Sequence, residues 1–158
     1  MRRLGAAAVV LALVTSCGSG PAEVVDGGPA PTGVASGVPL YFLDGQGELV
    51  LQVRDTGRLG SISEAMSLLL SGPGDSDLGT GIDATGAQRM GVTVREDVIE
   101  LMTPLAADEV TPAGIDQIVC TALAVHVQSG GSPDTGVRVR FTLDTPESDE
   151  VRRCPVTG

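Results

Sequence analysis

The stretch Thr111–Val125, TPAGIDQIVCTALAV, limits what this chain can fold into more than any other. Thr111 can accept a backbone N–H bond as N-cap, and Pro112 at the first helical position gives up an N–H that had no partner. Ile115, Ile118, Val119, Ala122 and Leu123 then recur at helical spacing and make one apolar stripe. A helix with a single apolar stripe needs another layer to lie on. A second stripe of the same spacing runs through Ile62, Ala65, Met66, Leu69 and Leu70. It opens on Ser61 and Glu64, the S-x-x-E spacing of a capping box, and stops at Gly72-Pro73.

The remaining regular segments have the two-residue period of strands. Val38–Leu43 is a short β-rich run, and Asp44-Gly45-Gln46-Gly47 is turn chemistry. Glu48–Arg54 places Leu49, Leu51 and Val53 on one face, with Val50 breaking the alternation. In Val92–Leu101 a two-residue turn at Glu96-Asp97 sets Val94 opposite Ile99 and Val92 opposite Leu101 on one face. Arg95 and Glu100 fall on the other. Val137–Leu143 turns Val137, Val139, Phe141 and Leu143 inward, with Arg138, Arg140 and Thr142 outward. The order β-β-α-β-β-α-β predicts an α+β fold: a two-layer sandwich with a mostly antiparallel sheet and two helices on one face.

The N-terminus reads as an address. Residues 1–16 have Arg2 and Arg3 followed by an apolar run, Leu4–Val14, too short to span about 30 Å of hydrocarbon. Val14-Thr15-Ser16-Cys17 resembles a bacterial lipobox, which makes Cys17 the expected lipid attachment site and residues 1–16 a lipoprotein signal peptide. Two acyl chains anchor stably where one does not. The expected location is the cell membrane, lipid-anchored at the outer face of the cytoplasmic membrane. Residues 17–37 carry the acylated Cys and a Gly/Pro/Ala/Ser-rich tether with a span of roughly 25 Å.

Charge excludes some partners. The chain has 20 acidic and 10 basic residues, every basic one Arg, and loss of Arg2 and Arg3 takes the balance to 8 − 20 = −12. That argues against nucleic acid, which is bound by displacing counterions with basic side chains. The absence of Lys together with the many Gly and Ala points to a GC-rich, actinobacterial-type genome. Tyr41, Phe42 and Phe141 are the only aromatics, too few for a platform that stacks sugars or bases.

With Cys17 lipidated, Cys120 and Cys154 remain, and outside the cytoplasm they should pair. Cys120 sits on the flank of the helix stripe. Cys154 lies in the polar tail 144–158, which a disulfide would staple down.

Catalytic and metal constellations are not evident, so neither an enzyme nor a cofactor or metal site is expected. The one histidine, His126, sits at a helix C-terminus, where it suits the dipole. Asp108-Glu109 precede a helix N-terminus. The loop 74–89 holds Asp75, Asp77 and Asp83, but the EF-hand positions for Gly and Glu hold Thr80 and Gly86.

The pieces Val38–Leu43, Leu68-Leu69-Leu70-Ser71-Gly72-Pro73, Val92–Val94 with Val98–Leu101, and Gln117-Ile118-Val119-Cys120-Thr121-Ala122-Leu123 stand in an order that resembles the GerMN domain of bacterial sporulation and germination proteins. The resemblance spans 38–143. It implies an α+β fold like the ring-building motifs of secretion-type assemblies, and a non-catalytic protein-interaction or scaffolding role at the cell envelope. It offers no catalytic residues. The chain has one such domain where the sporulation protein has two. The expected partner is another envelope protein, with Arg95, Arg138 and Arg140 as a candidate interaction surface. The alternative is a module binding cell-wall glycan or a small ligand.

Overall fold

The structure is a computed structural model and describes residues 37–156 apart from 59 and 88. The signal peptide, Cys17 and the tether up to residue 36 lie outside the described residues.

Among the described residues the chain is α+β, with two sheets and three helices. Strands β1 (Gly37–Leu43) and β2 (Leu49–Asp55) form an antiparallel hairpin in which Tyr41 faces Leu51. Helix α1 (Ile62–Leu70) follows. Ser61 accepts from Glu64 N at 3.3 Å while the Glu64 carboxylate takes Ser61 N at 2.8 Å, so the capping box is formed. Strands β3 (Gly91–Val94) and β4 (Val98–Met102) pair in the register read from the sequence, Val94 with Ile99 and Val92 with Leu101. Helix α2 (Pro112–Gln128) is capped by Thr111, whose hydroxyl accepts from Gly114 N at 3.1 Å. Gly114 also lets the chain at Gly81 lie on the first turn of α2: a Cβ at position 114 would stand 2.3 Å from Gly81 O. Strand β5 (Gly136–Arg140) runs parallel to β4, because α2 carries the chain back across the layer. A short helix α3 (Pro146–Asp149) and strand β6 (Val151–Arg152) complete the order β3-β4-β5-β6.

The two-layer α+β architecture and the mostly antiparallel pairing agree with the sequence pattern. The single sheet does not, for a physical reason that lies in α2. In an antiparallel hairpin alternate residues of a strand turn their N–H and C=O away from the partner. In β1 these are the odd positions, and other elements hold the groups at Tyr41 and Leu43 and the carbonyl of Gly37. Tyr41 N donates to Thr121 Oγ1 at 2.9 Å, and Gln117 Nε2 donates to Tyr41 O at 3.0 Å. Leu43 exchanges two backbone bonds with Gly79, at 3.0 and 2.6 Å. Gln128 Nε2 donates to Gly37 O at 3.0 Å. Pro39, between them, has no N–H to satisfy. Little of the edge is left for a third strand, and the hairpin stays apart from the four-stranded sheet. Gln117 and Thr121 are both fully buried, and their bonds offset the cost of burying them.

One core fills the space between the layers. Val38, Leu40 and Phe42 from β1, Ala65, Met66 and Leu69 from α1, Ile118, Val119 and Ala122 from α2, and Ile99, Leu101, Val137 and Val139 from the larger sheet are all buried. Helix α2 packs on both β1 and β5, and α1 packs on β1 and α2.

Several expectations are corrected. Helix α2 runs on through His126, Val127 and Gln128, and stops where Gly130 takes φ 90°. Leu143 does not continue the inward face of β5: it is 68% exposed, because the strand ends at Arg140 and the chain turns into α3. The tail is more than a stapled extension, since β6 adds a strand to β5, Val151 facing Arg138. The loop 74–89 is tied down at Gly79 by Leu43, at Gly81 by Gln117 Oε1 (2.7 Å) and at Asp83 by Glu109 O (2.8 Å), with Ile82 buried.

Candidate functional site

Two surfaces carry chemistry that packing alone does not explain. The first is apolar. On the hairpin face away from the core, Pro39 and Tyr41 of β1 stand beside Leu51 and Val53 of β2. Leu123, Ala124 and Val127 of α2 and the nearby Pro133 close the other side. Together they form an open groove of about 400 Å³. The alternation of Leu49, Leu51 and Val53 suggested an inward face, yet Leu51 and Val53 are each 51% exposed. Tyr41 is half-buried in this wall, and its desolvation raises the phenol pKa above the ordinary value.

The second surface is the outer face of the four-stranded sheet. Here the structure brings Arg95, Arg138 and Arg140 together around one carboxylate, Glu100 of β4. Arg95 Nε lies 3.5 Å from Glu100 Oε2, and Arg138 Nη1 and Arg140 Nε lie 3.3 and 3.5 Å from Oε1. The hydrogen bond from Arg138, then those from Arg140, hold the Glu100 carboxyl below its usual range against a desolvation penalty. Arg140 also pairs with Asp149 of α3 at 3.1 Å, and Arg138 Nε donates to Asp149 O. Three guanidiniums thus meet two carboxylates, and the tail covers part of Arg138 and Arg140. Only Arg95 stays largely open, so this surface offers less free positive charge than the sequence suggested.

A wider cleft of about 670 Å³ opens beside the start of α1, lined by Thr56, Arg58, Ser61, Ser63, Glu64 and Arg89. Its main charges cancel, because Arg58 bonds Glu64. That contact, with the two Ser61 bonds, lowers the Glu64 pKa to about 2.

The sulfurs of Cys120 and Cys154 are at bonding distance, 2.00 Å, and both residues are buried. The pair fixes the tail to the middle of α2, at the residue next to Thr121. His126 faces Thr135 Oγ1 across 3.2 Å and sits over Gly131, where a Cβ would clash with the ring. It therefore ties the turn after α2 back onto the helix. Glu109 caps Ala106 N at 2.7 Å within a 3-10 turn at Ala107–Glu109. Among the described residues no group of three or more His, Cys, Asp or Glu is placed to hold a metal ion, and no helix is long and apolar enough to cross a membrane.

Sequence reasoning missed the groove and the unpaired edge of β2 beside it. The one signal for them was Val50, whose break in the alternation makes both faces of β2 partly apolar. No family model matches the chain, and no curated protein or solved structure is detectably similar to it.

Proposed function

We propose that the chain is a lipid-anchored, extracytoplasmic lipoprotein whose GerMN-like domain, 38–143, is a non-catalytic protein-interaction module at the cell envelope. The observation that carries the interaction reading is the apolar groove between the hairpin and α2. Its walls are mostly aliphatic, with Tyr41 the sole aromatic ring and Gln128 the sole amide, which suits an apolar segment of a polypeptide better than a sugar. Exposed apolar side chains gathered in one groove are characteristic of contact sites rather than of plain surface. The lipid anchor rests on the h-region and the Cys17 lipobox. The non-catalytic reading is supported by where the titratable groups are used: His126 on a neutral hydroxyl, Glu109 on a backbone cap, Glu100 on three arginines.

A photo-crosslinking side chain at Val127, in cells carrying the full chain, tests this. Capture of a membrane-associated protein that is lost with Val53→Asp is the expected result. No captured polypeptide, together with a rise in melting temperature on adding peptidoglycan fragments, would reverse the reading in favour of a glycan-binding module. Labelled palmitate should enter the chain and be lost with Cys17→Ala.

A further inference from the structure

The outer edge of β2 has the properties of a strand that pairs. Tyr41 and Leu43 turn their backbone groups away from β2, so their partners Leu51 and Leu49 must also turn theirs outward, and Val53 follows in phase. Among the described residues, β2 pairs with β1 alone. The edge carries no Pro, no Lys and no bulge, its charges Arg54 and Asp55 stand only at one end, and Leu51 and Val53 are half-exposed along it.

We infer that this edge is a self-pairing surface: β2 joins β2 of a second copy of this chain, antiparallel, with the two-fold axis at Leu51. Charge complementarity selects both occupant and register. Arg54 sits at one end of β2 and Glu48 just before the other, and both lie on the same face. The Arg54 guanidinium is fixed by four neutral acceptors, Leu68 O, Ser71 Oγ, Gln52 Oε1 and Gly72 O, at 3.0–3.5 Å, and no described carboxylate pairs with it. Glu48 is exposed, and no described cation pairs with its side chain. Centring the pairing on Leu51 brings Arg54 opposite Glu48 of the second copy, and by symmetry Glu48 opposite its Arg54. It also sets Leu51 against Leu51 and Val53 against Leu49, all outward-bonding positions that exchange both N–H···O=C bonds. The neighbouring registers with the same bonding phase place Arg54 opposite Gln46 or Val50 and lose both ion pairs. The pairing uses the backbone edge of β2 rather than the groove wall formed by Tyr41 and Val127, and it does not depend on what that groove binds.

Disulfide trapping in the full chain tests this. In a hydrogen-bonded antiparallel pair the Cα atoms lie about 5.5 Å apart, within disulfide reach. Leu51→Cys should therefore give an oxidant-dependent species of twice the chain mass that the Leu51 chain does not give. Val53→Cys should not, since it faces position 49. Arg54→Glu sets like charges together twice and should weaken the dimer about tenfold. Adding Glu48→Arg restores the complement and should restore the trapping. Arg54 also braces the end of α1, so Val53→Pro serves as a second variant. It removes one outward N–H that β1 does not use, and it should abolish trapping while leaving the melting temperature of the monomer within a few degrees. Absence of trapping at about 100 μM would overturn the proposal. So would trapping that the charge swap does not restore, or a Leu51→Cys crosslink to a different protein.

Discussion

The β1–β2 hairpin has two edges, built from strands of equal length, and the molecule treats them in opposite ways. The β1 edge is closed. Thr121, Gln117, Gln128 and Gly79 take up the outward groups of Tyr41 and Leu43 and the carbonyl of Gly37, and Pro39 removes the N–H that would have lacked a partner. The β2 edge has no such cover among the described residues and keeps apolar side chains beside it. Sealing an edge with helix side chains requires two buried polar residues one turn apart. The chain commits Gln117 and Thr121 to β1 and leaves β2 open, which assigns the first edge to folding and the second to contact.

Substitutions should divide along that line. Gln117→Leu leaves the part-buried Tyr41 O and Gly81 N without their partner, at about 1–3 kcal/mol each; urea unfolding should show a loss of about 4 kcal/mol. Replacing Cys120 and Cys154 together with Ala releases a loop of 34 residues, which the chain-entropy relation values at about 4 kcal/mol. The same unfolding curves under reducing and oxidising conditions check it. Thr121→Val keeps the shape of the side chain but strands Tyr41 N, and should cost about 2 kcal/mol. On the other edge, Leu51→Thr should change monomer stability by no more than about 0.5 kcal/mol, because it replaces a half-exposed side chain with a good strand former. A loss from Leu51→Thr as large as that from Thr121→Val would erase the distinction between the edges.

The pH dependence separates the clamp from the rest in a different way. Gln117, Thr121 and Gly79 do not titrate, so acid leaves the β1 edge intact. Glu64 does titrate. Its pKa falls from 4.5 to about 2 in the folded chain, chiefly through the hydrogen bond from Arg58 and then those from Ser61. A depressed carboxylate adds stability above its unfolded pKa and loses it as pH falls through the folded value. Thermal melts between about pH 4.5 and 2 should show that decline, and Glu64→Gln should flatten it.

Much of this was legible in the sequence, because local rules governed it. Both helices follow from their stripes and caps, and the Val92–Leu101 register from a two-residue turn. The meeting of Arg138 and Arg140 on one face follows from simple alternation. That Arg95 and Glu100 share a face was also legible; that Glu100 would pair with all three arginines was not, since it depends on β4 lying parallel beside β5. The split into two sheets had no local signal. It depends on Gln117 and Thr121 reaching a strand 76 to 80 residues earlier in the chain, and a buried Gln in a helix looks like any other until its partner is placed. Alternation in β2 showed two faces but could not say which was inside. The two-residue strand β6 is too short for any period to reveal.

Site-resolved amide hydrogen exchange on the dilute chain tests the central claim most directly. The Tyr41 and Leu43 amides should exchange slowly, near the rate set by global unfolding, while those of Leu49, Leu51 and Val53 should exchange fast and slow down only as concentration rises. Equal protection of both sets in the dilute chain, or fast exchange at Tyr41, would contradict the account.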